Sequence, residues 1–245
     1  MINIKSYASG SKGNLYLVSN KDTNIILECG VDKNLIYKML NDNNLTYKNI
    51  NACLTSHCHQ DHSISIKLFD NYNIKCYCTY ETKIKYNLNE DNFIQLIDNK
   101  KYIINSIQFI SISVFHGDTE NYGFIFKDND SLVLFITDFM LLKKDLSSFK
   151  FDKIFIECNY IENLRKDKEI INESENYKKL IRQLNTHMEL SNLLIHLDNF
   201  DLTKCDEINL IHISEEVGDR AIMKKTIEQE YGIECYCLLA NGDKV

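Results

Sequence analysis

Six consecutive residues, His57-Cys58-His59-Gln60-Asp61-His62, hold three imidazoles and one carboxylate in a single short string. Such a density of lone pairs suits a transition metal, because zinc, iron and manganese take nitrogen and oxygen donors more readily than magnesium or calcium do. In an extended segment His57 and His59 project to the same side and can share one ion, whereas Asp61 and His62, just past the bend, can reach a second. Each ion needs about three to four ligands, so further donors must come from other strand ends, where a rigid sheet can aim them. The chain supplies them: His116 follows the strand-like run 107–115, Asp138 follows 131–137, and His212 lies near the end of 208–213. Asp138 can bridge two ions, since the oxygens of a carboxylate point in separate directions and a neutral imidazole has no such pair.

The elements that must position these residues are legible from periodicity. Short alternating strands are expected near 2–7, 14–19 and 24–29, then an amphipathic helix over 32–43 with Leu35, Ile36, Met39 and Leu40 on one stripe. The apolar run 50–56 reads as a buried strand that ends at His57. A helix near 62–70, a strand near 73–79 and a short helix near 81–87 follow, then strands near 101–104, 107–115, 121–127, 131–137 and 152–158. Helices are expected near 172–184, 189–199 and 219–231, with strands near 207–213 and 233–239. Two strand-rich blocks, each followed by helices, imply an α+β fold: a four-layer αββα sandwich of two mixed sheets with helices outside. With no proline, no Gly/Ser-rich linker and no internal repeat, residues 1–245 read as one domain.

Composition narrows the partners. The 245 residues are 44% apolar and 26% charged, with a net charge of −7, so the bulk field attracts neither nucleic acid nor an anionic membrane. No apolar run approaches the roughly 18–20 residues of a membrane helix, and the start MINIKSYASG lacks the features of a signal peptide. A cytoplasmic protein is expected, and its nine cysteines, an odd number, read as reduced thiols. Cys76/Cys78 and Cys235/Cys237 look like zinc pairs, but each pair shares one face of a strand and reads better as small buried hydrophobes. Ten basic residues between Lys143 and Arg182 stand among eight acids and read as a solvated face rather than a nucleic-acid groove.

At this point the chain resembles the metallo-β-lactamase-fold hydrolases, and within them the compact YycJ/WalJ-like group and its phage-encoded relatives. The resemblance rests on SGSKGN at Ser9–Asn14, on Thr55–His62, on the His116/Asp118 pair, on Thr137-Asp138 and on His212-Ile213-Ser214, in that order over about residues 1–215. It implies that His57, His59 and His116 hold one metal, that Asp61, His62 and His212 hold the other, and that Asp138 bridges them. The implied cofactors are two divalent ions, zinc first, with manganese or iron as alternatives, in a bacterial cell or phage-infected host. His187, in THMELSN, is similar to the histidine that protonates the leaving group in phosphodiesterase relatives; with Asp61 it forms the implied catalytic set. Thr186 stands where the group has glycine, and Cys158-Asn159-Tyr160 replaces its Asn-His-Asp.

The expected activity is that of a dinuclear metal-dependent phosphodiesterase. A water whose pKa the ions lower toward about 7 would attack phosphorus in line, and His187 would give the departing alkoxide its proton. A nuclease acting on DNA or RNA comes first, with a hydrolase of small cyclic nucleotides as the alternative. A thioester or lactone hydrolase of the same fold, and a metal-stabilised binding protein without turnover, remain open, as does a homodimer. Between Asp138 and His212 there is too little chain for the cap domain of β-CASP nucleases. The bland reading of His187 is a helix cap or a surface residue. Glu157 and Asp118 are candidates to hydrogen-bond ligand imidazoles, His196 is expected to face solvent, and Cys58 should point away from its ligand neighbours. SGSKGN reads first as a tight turn, and second as a rim loop whose Lys12 or backbone N–H groups meet a phosphate.

Overall fold

The computed structural model describes residues 1–171 and 183–245. A six-stranded sheet runs in chain order: β1 (Asn3–Ala8), β2 (Leu15–Ser19), β3 (Asn24–Cys29), β4 (Ala52–Leu54), β5 (Cys76–Cys78) and β6 (Phe93–Gln95). The first two pairings are antiparallel and the rest parallel. A seven-stranded sheet is built from β7 (Lys101–Ile104), β8 (Ile107–His116), β9 (Thr119–Lys127), β10 (Leu132–Ile136), β11 (Lys153–Glu157), β12 (Glu207–Ile211) and β13 (Glu234–Cys237). It too is mixed, antiparallel from β7 to β10 and parallel from β10 to β13.

Three apolar clusters define the layers. The central one interleaves Tyr16, Val18, Ile25, Leu27 and Leu54 of the first sheet with Phe109, Phe124, Phe126, Phe135 and Phe155 of the second. On the outer face of the first sheet, Ile36, Met39 and Leu40 of α1 (Lys33–Asp42) and Ile66 and Phe69 of α3 (Ile66–Asn71) pack against Ile26, Cys53 and Cys76. On the outer face of the second, Leu193 and Leu197 of α6 (Leu190–Leu197) and Met223 and Ile227 of α7 (Arg220–Tyr231) cover Ile154, Ile156, Ile208 and Leu210. This is the αββα sandwich that the alternation of blocks implies. Burial on both faces explains why the inner strands β2, β3, β10 and β11 are near-continuously buried, whereas β1, β7 and β8 alternate.

Several elements depart from the periodicity. The helix expected over 62–70 is two pieces, α2 (Gln60–Ser63) and α3, because Ser65 is tied to the end of β3 through Ser65 N to Cys29 O at 3.0 Å and Ser65 Oγ to Val31 O at 2.5 Å. The strand expected over 50–56 shortens to Ala52–Leu54, since the Ser56 N–H leaves the ladder for the Glu28 carboxylate. Strand β6, three residues long, is too short to show a period, and helix α5 (Glu162–Ile171) is amphipathic but predominantly charged, so the sequence announces neither. Helix α4 (Tyr80–Tyr86) forms close to its expected place. The helix expected over 172–184 falls mostly outside the described residues; residues 183–186 are helical.

All nine cysteines are free, and Cys76, Cys78, Cys235 and Cys237 are fully buried in the two outer cores. Among the described residues, no helix is long and apolar enough to cross a membrane.

Candidate metal centre

The site lies where the two sheets meet. The first sheet sends the loop after β4 and the start of α2, carrying His57, His59, Asp61 and His62. The second sends His116 from the last position of β8, Asp138 from just beyond β10 and His212 from just beyond β12. These seven converge into two groups that share Asp138. One is His57, His59, His116 and Asp138; the other is Asp61, His62, Asp138 and His212; within each, the donor atoms lie within 4.8 Å of one another.

Backbone geometry shows how the sequence forces this convergence. Asp138 at φ 49° and His212 at φ 53° adopt the left-handed conformation, which turns each side chain off its strand and into the seam. For residues other than glycine this costs of order 1 kcal/mol or more per position. The ligand loop is seated on Gly30, whose Cβ, had it one, would lie 1.6 Å from the Asp61 carbonyl oxygen. The Ser9–Asn14 turn links both loops: Asn14 Nδ2 donates to Asp61 O at 3.1 Å, and His212 N donates to Ser9 Oγ at 3.0 Å. Its turn hydrogen bond, Gly13 N to Gly10 O at 3.0 Å, agrees with the first reading of SGSKGN, while Ser11 and Lys12 also line the cavity of the second.

The hydrogen bonds around the imidazoles decide which nitrogens are bare. His116 Nδ1 lies 2.6 Å from Thr186 O, and a carbonyl only accepts, so Nδ1 carries the proton and Nε2 presents a lone pair toward His59 and Asp138. Asp118, the expected partner of His116, is exposed instead. His57 Nε2 and His59 Nδ1 face each other at 2.8 Å. Burial, joined by neighbouring imidazoles, holds His57 well below the usual histidine range and His59 at about 4, so both are neutral donors. The second group differs. Burial opposes charge on His62 and His212, but Asp138 and Asp61 outweigh it, raising His62 well above the usual range and His212 to about 10. Asp138 and Asp61 are held well below the carboxylate range by these imidazoles, against the opposing effect of burial.

His212 Nε2 is buried with no hydrogen-bond partner, 3.5 Å from Asp61 Oδ2. An orphaned imidazole nitrogen beside a carboxylate oxygen is costly in a protein alone and is what a cation would satisfy. The donor set of each group, mixed imidazole and carboxylate, fits a divalent transition metal.

Beneath and beside these seven lie Glu28 and Asn159, which the sequence did not single out as supports, and Glu157, which it offered as a partner of a ligand imidazole. Glu28, fully buried at φ 57°, accepts from Ser56 N at 3.1 Å and places Oε2 3.4 Å from His62 Nδ1. A charged residue inside the apolar run Asn24–Cys29 is the signal that could have found it. Asn159 donates to His212 O at 2.7 Å. Glu157, at the end of β11 and wholly buried, supports more than one imidazole: Oε1 lies 2.7 Å from His187 Nδ1 and 3.1 Å from His212 Nδ1. Its Oε2 accepts from Phe139 N at 2.8 Å and Met188 N at 3.3 Å. Burial disfavours its charge, yet His187 and His212 hold the carboxyl below its usual range.

His187 is neither a cap nor a surface residue. Glu189 caps α6, accepting from Ser191 N and Asn192 N, while the His187 ring stacks on His212 at 5.3 Å and opens onto the cavity. His196 is half-buried against the Phe139 ring at 5.9 Å rather than solvent-facing, because the apolar face of α6 is wider than its leucine stripe. Cys58 points outward, its Sγ 3.5 Å from Glu81. The cavity over the site has a volume of about 450 Å³, with His59, Asp61, His116, Asp138, His187 and His212 in its lining.

With the geometry in view, comparison with solved structures decides the fold. YhfI of Bacillus subtilis, a metallo-β-lactamase-fold protein, matches over 99% of both chains with a TM-score of 0.72 at 15% identity. The chain has the metallo-β-lactamase fold. A diphosphatase of the PhnP family matches 100% of this chain and 97% of its own, with a TM-score of 0.68 at 14% identity. Zinc-bound PqqB of Methylobacterium extorquens matches 99% of both chains, with a TM-score of 0.70 at 9% identity. No protein-family model and no curated protein matches the sequence.

Proposed function

We propose that this metallo-β-lactamase-fold protein is a dinuclear metal-dependent phosphodiesterase, first of all a nuclease of DNA or RNA, in the manner of the YycJ/WalJ-like group it resembles. The observation that carries this reading is His187, anchored by Glu157 at 2.7 Å and opening onto the same cavity as the two donor groups. Its position suits a proton donor to a leaving alkoxide, which a diester needs and a thioester does not. Similarity to metallo-hydrolases of the fold supports a hydrolase, and the diphosphatase among them favours phosphoryl chemistry. The cavity of about 450 Å³ favours a second reading, a small cyclic nucleotide held whole.

His57, His59 and His116 would hold one ion, Asp61, His62 and His212 the other, and Asp138 both. When bound, two such cations lower the pKa of a water and polarise a phosphoryl oxygen. The rest is work for the chain. The Thr186 carbonyl and Glu157 fix imidazole tautomers, so that no donor ring must reorient before reaction. Because a carboxylate can only accept, the proton on His187 Nδ1 is directed to Glu157, and Nε2 is the nitrogen left to serve the leaving oxygen.

The test is a substrate panel on zinc-reloaded protein: linear DNA and RNA, cyclic mononucleotides, bis(p-nitrophenyl) phosphate, a thioester and a lactone, with Asp61→Ala as the inactive control. Turnover confined to the thioester or lactone would remove the phosphodiesterase reading. His187→Ala is expected to keep its metal and lose roughly 10²–10⁴ in kcat on an alkoxide-leaving diester, and far less when p-nitrophenolate leaves. Equal losses on both would argue against proton donation.

A further inference from the structure

Lys12 stands at the cavity mouth on the Ser9–Asn14 turn, and its Nζ lies 3.0 Å from Glu215 Oε2 across the opening. Glu215 follows His212 by three residues, so the pair joins the rim loop of the first sheet to that of the second over 203 positions of sequence. Among the described lining residues Lys12 is the one lysine or arginine. Its base is held in register with both donor groups by Asn14 on the Asp61 carbonyl and by Ser9 under the His212 amide. Both charged ends are largely exposed, at 80% and 52%, and such a pair is worth little in water, so it opens readily for a better partner. A phosphoryl oxygen seated over the donor groups would be such a partner, because a positioned ammonium binds phosphate as a point charge.

We propose that Lys12 is the phosphate-binding cation of this site and that Glu215 occupies it until substrate arrives. The assignment rests on the phosphodiesterase reading for its substrate, but its test can be read separately. Glu215 then acts as a weak competitor: it bridges the mouth when no phosphate is bound and yields Lys12 to an incoming phosphate at a small cost. The substrate exchanges one ion pair for another, so the exchange tunes KM and leaves the chemical step nearly untouched.

The experiment uses the zinc-reloaded full chain with Lys12→Ala, Glu215→Gln and the double variant. KM and kcat are measured on bis(p-nitrophenyl) phosphate, and inorganic phosphate binding is measured by calorimetry. Lys12→Ala should raise KM and weaken phosphate binding about ten- to a hundredfold, with kcat nearly constant. Glu215→Gln should lower KM severalfold, and the double variant should match Lys12→Ala, because Glu215 acts only through Lys12. A Lys12→Ala protein with unchanged KM and phosphate affinity overturns the proposal, as does a Glu215→Gln protein that binds phosphate less well. Lys12-dependent phosphate binding without diester turnover would uphold the clamp and refute the phosphodiesterase reading. Diester turnover indifferent to Lys12 would do the reverse, and absence of both would remove both.

Discussion

Glu157→Gln isolates what a buried carboxylate contributes without changing its shape. In the native site Oε2 accepts two backbone N–H groups, from Phe139 and Met188, and Oε1 faces the Nδ1 atoms of His187 and His212 at 2.7 and 3.1 Å. A glutamine has one acceptor to divide between these sides. Turning its NH₂ toward the backbone would set donor against two buried donors, at about 1–3 kcal/mol for each group left unsatisfied. The amide oxygen therefore stays with the backbone, and the NH₂ meets the two imidazoles. Each ring must then bare Nδ1 and carry its proton on Nε2, which for His212 is the buried nitrogen that neighbours Asp61 Oδ2. Loss of such outer support costs about 10–100-fold in metal affinity, or roughly 1.4–2.7 kcal/mol. It should fall on the group of Asp61, His62 and His212 and spare that of His57, His59 and His116, none of which contacts Glu157. Competition against a chromophoric chelator resolves the two steps: the weaker ion should dissociate about ten- to a hundredfold more readily while the tighter one is unchanged. Two ions bound with wild-type affinity, or a loss centred on the His57 group, would refute the reasoning.

Asp138→Asn should fold, since asparagine tolerates the left-handed backbone at φ 49°, yet retain fewer than half of the bound ions by elemental analysis, because Asp138 belongs to both groups. Metal-free protein should be most stable near about pH 6.5. His59, held at about 4, contributes stability that is lost as pH falls below the unfolded value, and His212, at about 10, contributes stability that is lost as pH rises toward 10. Thermal melts of chelated protein from pH 4 to 10 check both limbs, and a monotonic trend would contradict them. Metal uptake should release protons mainly at the second group, whose His62 and His212 are charged when empty, so its affinity should climb more steeply with pH than that of the first.

Much of the site was legible because its donors sit at strand ends, and strand ends are where apolar runs stop: His57, His116, Asp138 and His212 each follow such a run directly or by one residue. Proximity in sequence made the rest plain, as HCHQDH is one string. What could not be read is of two kinds. Glu28 sits in an apolar strand, and the spacing rule that finds ligands says nothing about a carboxylate directly behind one of them, 3.4 Å from His62. The left-handed turn at Glu28 is imposed by tertiary packing, unlike those at Asn44, Asn73, Asn87, Asn99 and Asn105, and at Asp138 and His212, whose residue types enter that conformation more readily. Helix α5 is amphipathic but so rich in charge that it reads as a solvated segment, and the break between α2 and α3 arises because one serine bonds to a strand end.

The seam between the sheets has a consequence for biosynthesis. His212 leaves the ribosome 150 residues after His62, an interval of roughly 8–30 s at about 5–20 residues per second. Until then the early half of the constellation is incomplete, with free imidazoles and no opposing wall. Productive loading with ions therefore waits for the last third of the nascent chain, and a ribosome stalled upstream of His212 would hold a polypeptide able to scavenge metal without enclosing it.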